Sequence, residues 1–131
     1  MIIGIGTDIT NITRIEKLLD AKFITRCFTQ AEQDYAEKKR PGGGHIAAYA
    51  RRFAAKEACA KALGCGIGEQ AYLQDIEIIN DPQGKPVITL HGAALKTLNL
   101  KIQKSKNPII HLSLSDDDPF AIAYVVIETT L

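Results

Sequence analysis

The chain has 131 residues, of which 46% are hydrophobic and 24% are charged, and these shares lie near the averages for globular domains, so disordered and fibrous classes have little support. The length fits one domain over residues 1–131, yet it is small for a deep cleft built from one copy, which is consistent with a site between subunits. Apolar stretches are interrupted well before about 18 residues and no signal-peptide pattern opens the chain, so we expect a cytoplasmic protein without a membrane partner.

The charges are unevenly distributed, although the formal net charge is only +1. Residues 14–61 carry 11 Lys or Arg against 6 Asp or Glu, and the remainder of the chain compensates. Such a basic region attracts nucleic acid, an acidic protein or a polyphosphate, and charge alone does not choose among them. The three cysteines form no Cys-x-x-Cys pair, which predicts free thiols.

The first predicted element is a strand over residues 2–9, which form a short apolar run. Alternation places Ile3, Ile5, Thr7 and Ile9 on one face and Ile2, Gly4, Gly6 and Asp8 on the other. Because two positions of the second face lack side chains, another backbone can approach it closely, beside the carboxylate at its end. We expect a helix to pack there.

Two short helices and a loop should follow this strand. Thr10 or Asn11 is suited to cap a helix that continues to about residue 19. Residues 29–32 form a capping box for a second helix that reaches about residue 38. The basic segment 38–44 ends in three glycines, and it either closes over a ligand or serves as a solvated linker, of which the linker is favoured.

A long central helix is predicted over residues 46–63, which are rich in alanine and contain no proline or glycine. At about 100° per residue, Phe53, Glu57 and Lys61 share one stripe of this helix. Glu57 can then reach Asp8, and two carboxylates beside a lysine predict a magnesium site that faces a phosphate. The alternative is an ordinary surface pair between Glu57 and Lys61, with Asp8 capping the following helix, and spacing alone does not decide.

The second half of the chain is predicted to consist mainly of antiparallel strands. We expect strands at 73–79, 87–90, 109–115 and 120–127, a helix at 93–98, a mobile Lys-rich link at 101–107 and a turn at 116–119. The predicted fold class is therefore α+β, with a mostly antiparallel sheet packed against the long central helix.

A polar face is predicted on the strand at 109–115, where His111, Ser113 and Ser115 alternate with apolar residues. A histidine and two hydroxyls can bind phosphate or transfer protons, while a solvent-facing strand is the slightly favoured alternative. The aspartates at 116–118 precede Pro119, which favours a solvated turn over a metal cluster.

Several motifs together resemble one known family. They are Gly-Ile-Gly-Thr-Asp-Ile at 4–9, Arg-Phe-Ala-Ala-Lys-Glu-Ala at 52–58, Gly-Cys-Gly at 64–66, Gly-Lys-Pro at 84–86 and His-Leu-Ser-Leu-Ser-Asp at 111–116. Their order over essentially the whole chain resembles the holo-[acyl carrier protein] synthases, which are 4'-phosphopantetheinyl transferases. The resemblance implies the fold of that family. Cys65 departs from the threonine that members often have there, and Arg51 stands where many members have another residue.

The resemblance implies an activity in fatty acid biosynthesis. The family transfers 4'-phosphopantetheine from coenzyme A to a serine of apo acyl carrier protein and releases adenosine 3',5'-bisphosphate. By this resemblance Asp8 and Glu57 hold Mg²⁺ against the pyrophosphate of coenzyme A, and Lys61 adds a positive contact, which makes these three the catalytic candidates. The serine proton leaves to Glu57 or to a metal-bound water, and the sequence does not choose between them.

Further contacts and an assembly are implied in the same way. The candidates for binding coenzyme A are Arg52, Lys61, Gly66, Pro86, His111 and Ser113. The candidates for binding the acidic carrier protein are Arg14, Lys22 and Arg26, whose charge is complementary. The resemblance to the short members of the family also implies a homotrimer with active sites between subunits.

Three other functions compete with this interpretation. A dinucleotide-dependent oxidoreductase is disfavoured because Ile9 occupies the third glycine position of the Gly4-x-Gly6 pattern and no βαβ unit follows. A noncatalytic module that binds coenzyme A or an acidic protein would need no metal over the pyrophosphate. Nucleic-acid binding lacks a motif, and aromatic residues make up only 6% of the chain, so we expect no nucleic-acid partner.

Overall fold

The computed structural model describes residues 1–102 and 106–130. In chain order they form β1 (Ile2–Asn11), α1 (Ile12–Leu18), α2 (Ala21–Cys27), α3 (Gln30–Glu37), α4 (His45–Leu63), β2 (Ile76–Asn80), β3 (Pro86–Leu90), α5 (Gly92–Ile102), β4 (Lys106–Asp117) and β5 (Phe120–Thr130). Short 3₁₀ turns occupy Arg40–Gly42 and Leu73–Asp75. The Lys-rich link predicted at 101–107 lies partly outside the described residues, and its described ends belong to α5 and β4.

The strands form two antiparallel sheets, which confirms the predicted α+β class. The larger sheet has the order β1-β5-β4, and β2 pairs with β3 in a hairpin. Ala123 of the central strand β5 lies between Asp8 of β1 and Leu114 of β4. The candidate metal ligand Asp8 is therefore fixed in register by a fully paired strand.

Helix α4 packs on the glycine face of β1, as predicted. A Cβ atom added to Gly6 would lie 1.8 Å from the carbonyl oxygen of Ala58, and one added to Gly4 would lie 1.9 Å from that of Ala62. Such separations are impossible for real atoms, so only glycine permits this approach of helix to strand. We call this junction of β1 and α4 the glycine seam.

The face assignment of Ile3 is wrong. The pairing of β1 with β5 shifts register between Ile2 and Gly4, and Ile3 packs against the core instead of sharing the exposed face of Ile5. A bulge breaks strict alternation because it inserts one unpaired residue, and local sequence carries little sign of it.

Other boundaries also differ from the prediction. Helix α2 was not predicted; Asp20 caps it by accepting a hydrogen bond from the amide of Phe23 at 2.8 Å. Strand β2 begins at Ile76 because the residues before it form a 3₁₀ turn, and the predicted start at residue 73 is wrong. The capping box of α3 is confirmed, with both of its reciprocal hydrogen bonds present.

A buried ion pair joins three elements of the core. The ammonium group of Lys56 on α4 lies 2.8 Å from a carboxylate oxygen of Glu32 on α3, and both side chains are inaccessible to solvent. Lys56 also donates to the carbonyl oxygens of Leu73 and Ile76, while Glu32 accepts from the amide of Ile78. Burial lowers the pKa of Lys56, and the Glu32 carboxylate opposes that shift.

The larger sheet has an exposed apolar outer face on the side away from α4. Ile5 and Ile9 of β1 are 65% and 63% exposed, and Tyr124 of β5 is 58% exposed. We call this surface the outer sheet face. Among the helices of the described residues, none is long and apolar enough to cross a bilayer.

Candidate active site

Asp8 is held at the end of the glycine seam by two neighbours. The hydroxyl of Thr10 donates to one carboxylate oxygen at 2.6 Å, and the ammonium group of Lys61 lies 3.3 Å from the other. Lys61 also donates to the carbonyl oxygen of Thr7 at 3.0 Å. The carboxylate of Asp8 is therefore oriented by β1 itself and by α4.

The alternative role of Asp8 as a helix cap is wrong. The residue that caps α1 is Asn11, whose side-chain oxygen accepts from the amide of Arg14 at 3.1 Å. Lys61 forms its ion pair with Asp8, across the seam. The side chain of Asp8 is thus directed to the seam and not to α1.

Glu57 lies in the electrostatic field of Asp8. Burial is the main cause that raises the pKa of the Glu57 carboxyl, and the negative charge of Asp8 raises it further. The positive charges of Lys61 and Arg14 oppose this shift. A cation bound beside Glu57 and Asp8 would offset the negative charge that Asp8 places next to the Glu57 carboxylate.

The donor set at the seam suits magnesium. Within residues 1–102 and 106–130 there is no cluster of three or more His, Cys, Asp or Glu side chains that would form a complete metal cage. Mg²⁺ does not require such a cage, because it is commonly held by one or two carboxylates, waters and substrate phosphates. Asp8 and Glu57 supply the two carboxylates.

A second polar region lies on another side of α4. It is a cleft of about 380 Å³ between α3, α4, β4 and the β2–β3 hairpin. Its lining includes Tyr35, Arg51, Arg52, Asn80, Pro86 and Ser113. We call it the arginine cleft.

Arg52 is the most constrained side chain of the arginine cleft. It is only 2% exposed, its guanidinium carbon lies 3.9 Å from the ring centre of Tyr35, and one terminal nitrogen donates to Asn80 at 3.3 Å. Its Nε atom is buried without a hydrogen-bond partner among the described residues, and none of their carboxylates lies within ion-pair distance of it. A buried guanidinium with an unused donor is suited to an incoming anion.

The cations around Tyr35 also act on its hydroxyl. A hydrogen bond from Lys39 is the main cause that lowers the pKa of Tyr35 to about 8, with contributions from Asn80 and Arg52. The ammonium group of Lys39 lies 4.7 Å from the ring centre on this residue. Lys39 and Arg52 therefore place positive charge beside Tyr35 at the cleft, which suits an anion-binding site.

The structure brings only some of the predicted coenzyme A contacts together. Arg52, Pro86 and Ser113 line the arginine cleft. His111 lies on the outer sheet face, where its Nε2 atom is 2.9 Å from a carboxylate oxygen of Glu128. Gly66 lies beyond the end of α4, in a left-handed conformation with φ of 68°.

Arg52 and Glu57 face different sides of α4. They are five positions apart, which corresponds to about 140° around a helix and about 7.5 Å along it. The seam and the arginine cleft are therefore two separate half-sites in one copy of the chain.

The candidate carrier-binding residues lie on neighbouring short helices. Arg14 is on α1, close enough to Glu57 to affect its pKa. Lys22 and Arg26 are four positions apart on α2 and line the same shallow pocket. Because residues four apart share a helix face, α2 presents both charges to one side.

Sequence reasoning did not assign a site role to Tyr35 or to the pair of Arg51 and Asp116. A nitrogen of Arg51 lies 3.3 Å from a carboxylate oxygen of Asp116 at the cleft. The predicted turn began too early, since Asp116 belongs to β4. The consecutive arginines at 51 and 52 were the one sequence feature that could have indicated this cleft. Their partners come from distant segments, so the sequence did not show which residues they contact.

The two half-sites offer a carboxylate pair, a lysine and a buried arginine, which are groups that phosphate-binding proteins use. A sequence model of the 4'-phosphopantetheinyl transferase superfamily matches residues 4–125. The chain therefore belongs to the 4'-phosphopantetheinyl transferase superfamily. The resemblance seen in the motifs is confirmed.

Particular relatives narrow this assignment to the holo-[acyl-carrier-protein] synthases. The chain is 46% identical over 131 residues to the Brucella ovis holo-[acyl-carrier-protein] synthase, with 98% of this chain and 96% of the relative covered. It is similar to the Bacillus anthracis enzyme solved in complex with CoA (3',5'-ADP), with 41% identity, a TM-score of 0.79 and 99% of both chains covered. It is also similar to the Neisseria meningitidis enzyme, with 37% identity, a TM-score of 0.83 and coverage of 98% of this chain and 99% of that one.

Proposed function

We propose that this chain, as one domain, transfers 4'-phosphopantetheine from coenzyme A to a serine hydroxyl of apo acyl carrier protein. The observation that carries the proposal is the grouping of Asp8, Glu57 and Lys61 at the glycine seam of a chain that belongs to this superfamily. In the reaction, the serine oxygen forms a bond to the phosphorus that bears pantetheine. The bond from that phosphorus to the bridging oxygen of the pyrophosphate breaks, and adenosine 3',5'-bisphosphate leaves.

The residues of the seam have distinct roles in this proposal. Asp8 and Glu57 would hold Mg²⁺, which when bound neutralises negative charge on the pyrophosphate and on the leaving group. Lys61, whose ammonium group already lies beside Asp8, provides a second positive charge for the phosphates. Either Glu57 or a nearby water takes the serine proton.

Binding of the nucleotide portion is assigned to the arginine cleft. Arg52 offers its unused Nε donor to a phosphate, and Pro86 and Ser113 line the same space. The Bacillus anthracis relative was solved with CoA (3',5'-ADP), and the same ligand chemistry fits an electropositive cleft. Gly66, which follows the helix that carries Lys61, remains a proposed contact near the other half-site.

Docking of the carrier protein is assigned to α1 and α2. Arg14 lies near Glu57, so an acidic partner bound there would present its serine to the seam. Lys22 and Arg26 extend the same basic surface. Complementary charge mainly accelerates association, so high salt should weaken docking.

We further propose a homotrimer in which the outer sheet face is buried between copies. Exposed Ile5, Ile9 and Tyr124 form an apolar surface of the kind that marks protein interfaces. His111 lies on this face and would reach the site of a neighbouring copy. A joint site would unite the seam of one copy with the arginine cleft of the next, which explains why they face different sides of α4.

Two biological settings follow as part of the proposal. The product, holo acyl carrier protein, serves fatty acid biosynthesis. We infer that the reaction takes place in the cytoplasm, where coenzyme A and the carrier protein would both be its substrates.

The assembly is tested by Tyr124→Glu, which introduces a charge into the outer sheet face. We expect light scattering after size exclusion to show the mass fall from three copies to one, together with loss of transfer. Leu100→Glu is the matched control, since Leu100 is 69% exposed on α5. An unchanged mass for Tyr124→Glu would contradict the proposed interface.

The activity is tested by mass spectrometry of purified apo acyl carrier protein after incubation with this protein, coenzyme A and magnesium. We expect a mass gain of one phosphopantetheine group on the carrier serine, absent with EDTA and absent with Glu57→Gln. Glu69→Gln, at an exposed position, is the control that should retain activity. Binding of coenzyme A without any mass gain on several carriers would instead favour the noncatalytic module.

A further inference from the structure

Arg51 and Asp116 form an ion pair at the wall of the arginine cleft. One terminal nitrogen of Arg51 lies 3.3 Å from one oxygen of Asp116, and the two side chains are 21% and 43% exposed. Both residues line the cleft. Two consecutive positions of α4 therefore direct guanidinium groups to the same space.

The geometry of this pair indicates a weak and replaceable contact. An arginine and a carboxylate interact most strongly through two parallel hydrogen bonds, whereas this pair uses one long contact. Both partners are accessible to water, which screens their attraction further. Arg51 can therefore exchange Asp116 for a stronger anion at small cost.

The neighbouring Arg52 has a donor that no described residue uses. Its buried Nε atom has no partner among the described residues, and the carboxylate of Glu32 affects its pKa only as a lesser contribution after burial and Tyr35. The only carboxylate among the cleft-lining residues is that of Asp116, which is already paired with Arg51. The cleft thus holds two guanidinium groups and one carboxylate.

We propose that Arg51 is a specificity-determining residue that binds the 3'-phosphate of the substrate together with Arg52. Asp116 pairs with Arg51 until the 3'-phosphate replaces the Asp116 carboxylate. The choice of ligand rests on the proposed function, because coenzyme A is the source of the phosphate. Coenzyme A carries a pyrophosphate and a phosphate monoester on its ribose. The pyrophosphate is assigned to the seam, so the monoester remains for the arginine cleft.

The chemistry of the monoester matches the two arginines. A phosphate monoester carries close to two negative charges at neutral pH. The planar guanidinium group of arginine can bind two phosphate oxygens at once. That contact is stronger than the single long contact between Arg51 and Asp116. Asp116 therefore has two effects: it keeps Arg51 in place, and it competes with the ligand.

The first test measures binding alone, by calorimetry with adenosine 3',5'-bisphosphate and with adenosine 5'-monophosphate. We expect Arg51→Gln to weaken binding of the bisphosphate by about 10-fold or more and binding of the monophosphate by less than about 2-fold. Lys96→Gln removes one exposed positive charge on α5 and is the control for net charge. Arg51→Lys, which retains the charge without the planar guanidinium group, should be intermediate.

Asp116 is tested in the same assay. We expect Asp116→Asn to strengthen binding of the bisphosphate by about 3-fold or more, because the competing carboxylate is removed. In the Arg51→Gln background the same substitution should change affinity by much less, because its effect acts through Arg51. Thermal unfolding of each variant verifies that the fold is retained.

The second test compares transfer from coenzyme A and from 3'-dephospho-coenzyme A. The wild-type protein should prefer coenzyme A by KM, and Arg51→Gln should lose that preference while kcat changes little. An unchanged preference in Arg51→Gln, or equal losses for both adenosine nucleotides, would overturn the inference and leave the proposed transferase intact. Absence of transfer by the wild-type protein, with binding that still depends on Arg51 and the 3'-phosphate, would reject the transferase and retain this phosphate site.

Discussion

The glycine seam and the arginine cleft lie on different sides of α4 and are built by opposite means. At the seam, two residues without side chains let the backbone of α4 contact β1, which fixes the two elements that carry Asp8 and Glu57 against each other. In the cleft, side chains from α3 and β2 surround the guanidinium group of Arg52 on α4, whose Nε donor no described residue uses. The two proposed sites therefore differ: backbone packing fixes the strand and helix that carry the carboxylates, whereas the buried Arg52 keeps a donor that no described residue uses.

The largest expected effect comes from Gly6→Ala, which places a methyl group where the carbonyl oxygen of Ala58 lies. Because the obstacle is backbone, the seam must open, and we expect a loss of more than about 5 kcal/mol in the free energy of unfolding. Chemical denaturation measures it. Gly68→Ala is the matched control, since a Cβ atom there meets nothing within 4 Å. Equal stability of the two variants would mean that the seam is not close-packed.

The second effect concerns the buried ion pair that joins α3 to α4, beside the arginine cleft's helices. Lys56→Met leaves the Glu32 carboxylate buried without its cation, which should cost about 3–5 kcal/mol. Adding Glu32→Gln should recover part of this loss, because a neutral amide needs no counterion. Lys96→Met at an exposed position is the control. A neutral effect of Lys56→Met on the free energy of unfolding would mean that the pair does not stabilise the packing of α3 on α4.

A smaller effect is expected at the cap of the helix that carries Arg14. Asn11→Ala removes the hydrogen bond to the Arg14 amide and should cost about 1 kcal/mol. Asn11→Asp should retain the cap and nearly all the stability, as measured by thermal unfolding. A full loss in Asn11→Asp would show that the amide group, and not the acceptor oxygen, matters.

The smallest effect on stability is expected at Glu57, and it has the opposite sign. Burial and Asp8 raise the pKa of the Glu57 carboxyl, so the folded state binds its proton more tightly than the unfolded state does. Ionised Glu57 therefore lowers the free energy of unfolding. This loss is absent below the ordinary carboxyl pKa, where both states are protonated, and it is complete above the raised pKa of the folded state. In EDTA, Glu57→Gln should therefore melt slightly above the wild type at pH 7, with no difference near about pH 4. A difference that grew as the pH fell would contradict this sign.

The seam was predictable because its signals are local. Gly4 and Gly6 alternate with apolar residues before Asp8, and an alanine-rich helix places Glu57 and Lys61 one turn apart. The capping box at residues 29–32 was also predictable, because it is defined by two residue types three positions apart. These features need no knowledge of distant partners.

The arginine cleft was not predictable in this way. The contact of Arg52 with Tyr35 and Asn80, like that of Arg51 with Asp116, joins residues far apart in sequence. Lys56 shows the same limit, because a lysine within a helix is usually solvated and its burial depends on Glu32 from another helix. Tertiary packing, and not local pattern, decides these positions.

In the proposed homotrimer, the seam of one copy and the arginine cleft of its neighbour act on the same coenzyme A, and subunit complementation tests this joint site most directly. Glu57→Gln disables the seam and Arg52→Gln disables the cleft, so each variant alone should be inactive in the carrier mass assay. Co-expression with two different tags allows purification of assemblies that contain both variants. We expect such mixed assemblies to regain transfer, because some of their sites combine an intact seam with an intact cleft. Confirmed mixed assemblies without activity would contradict the claim and would assign both half-sites to one copy.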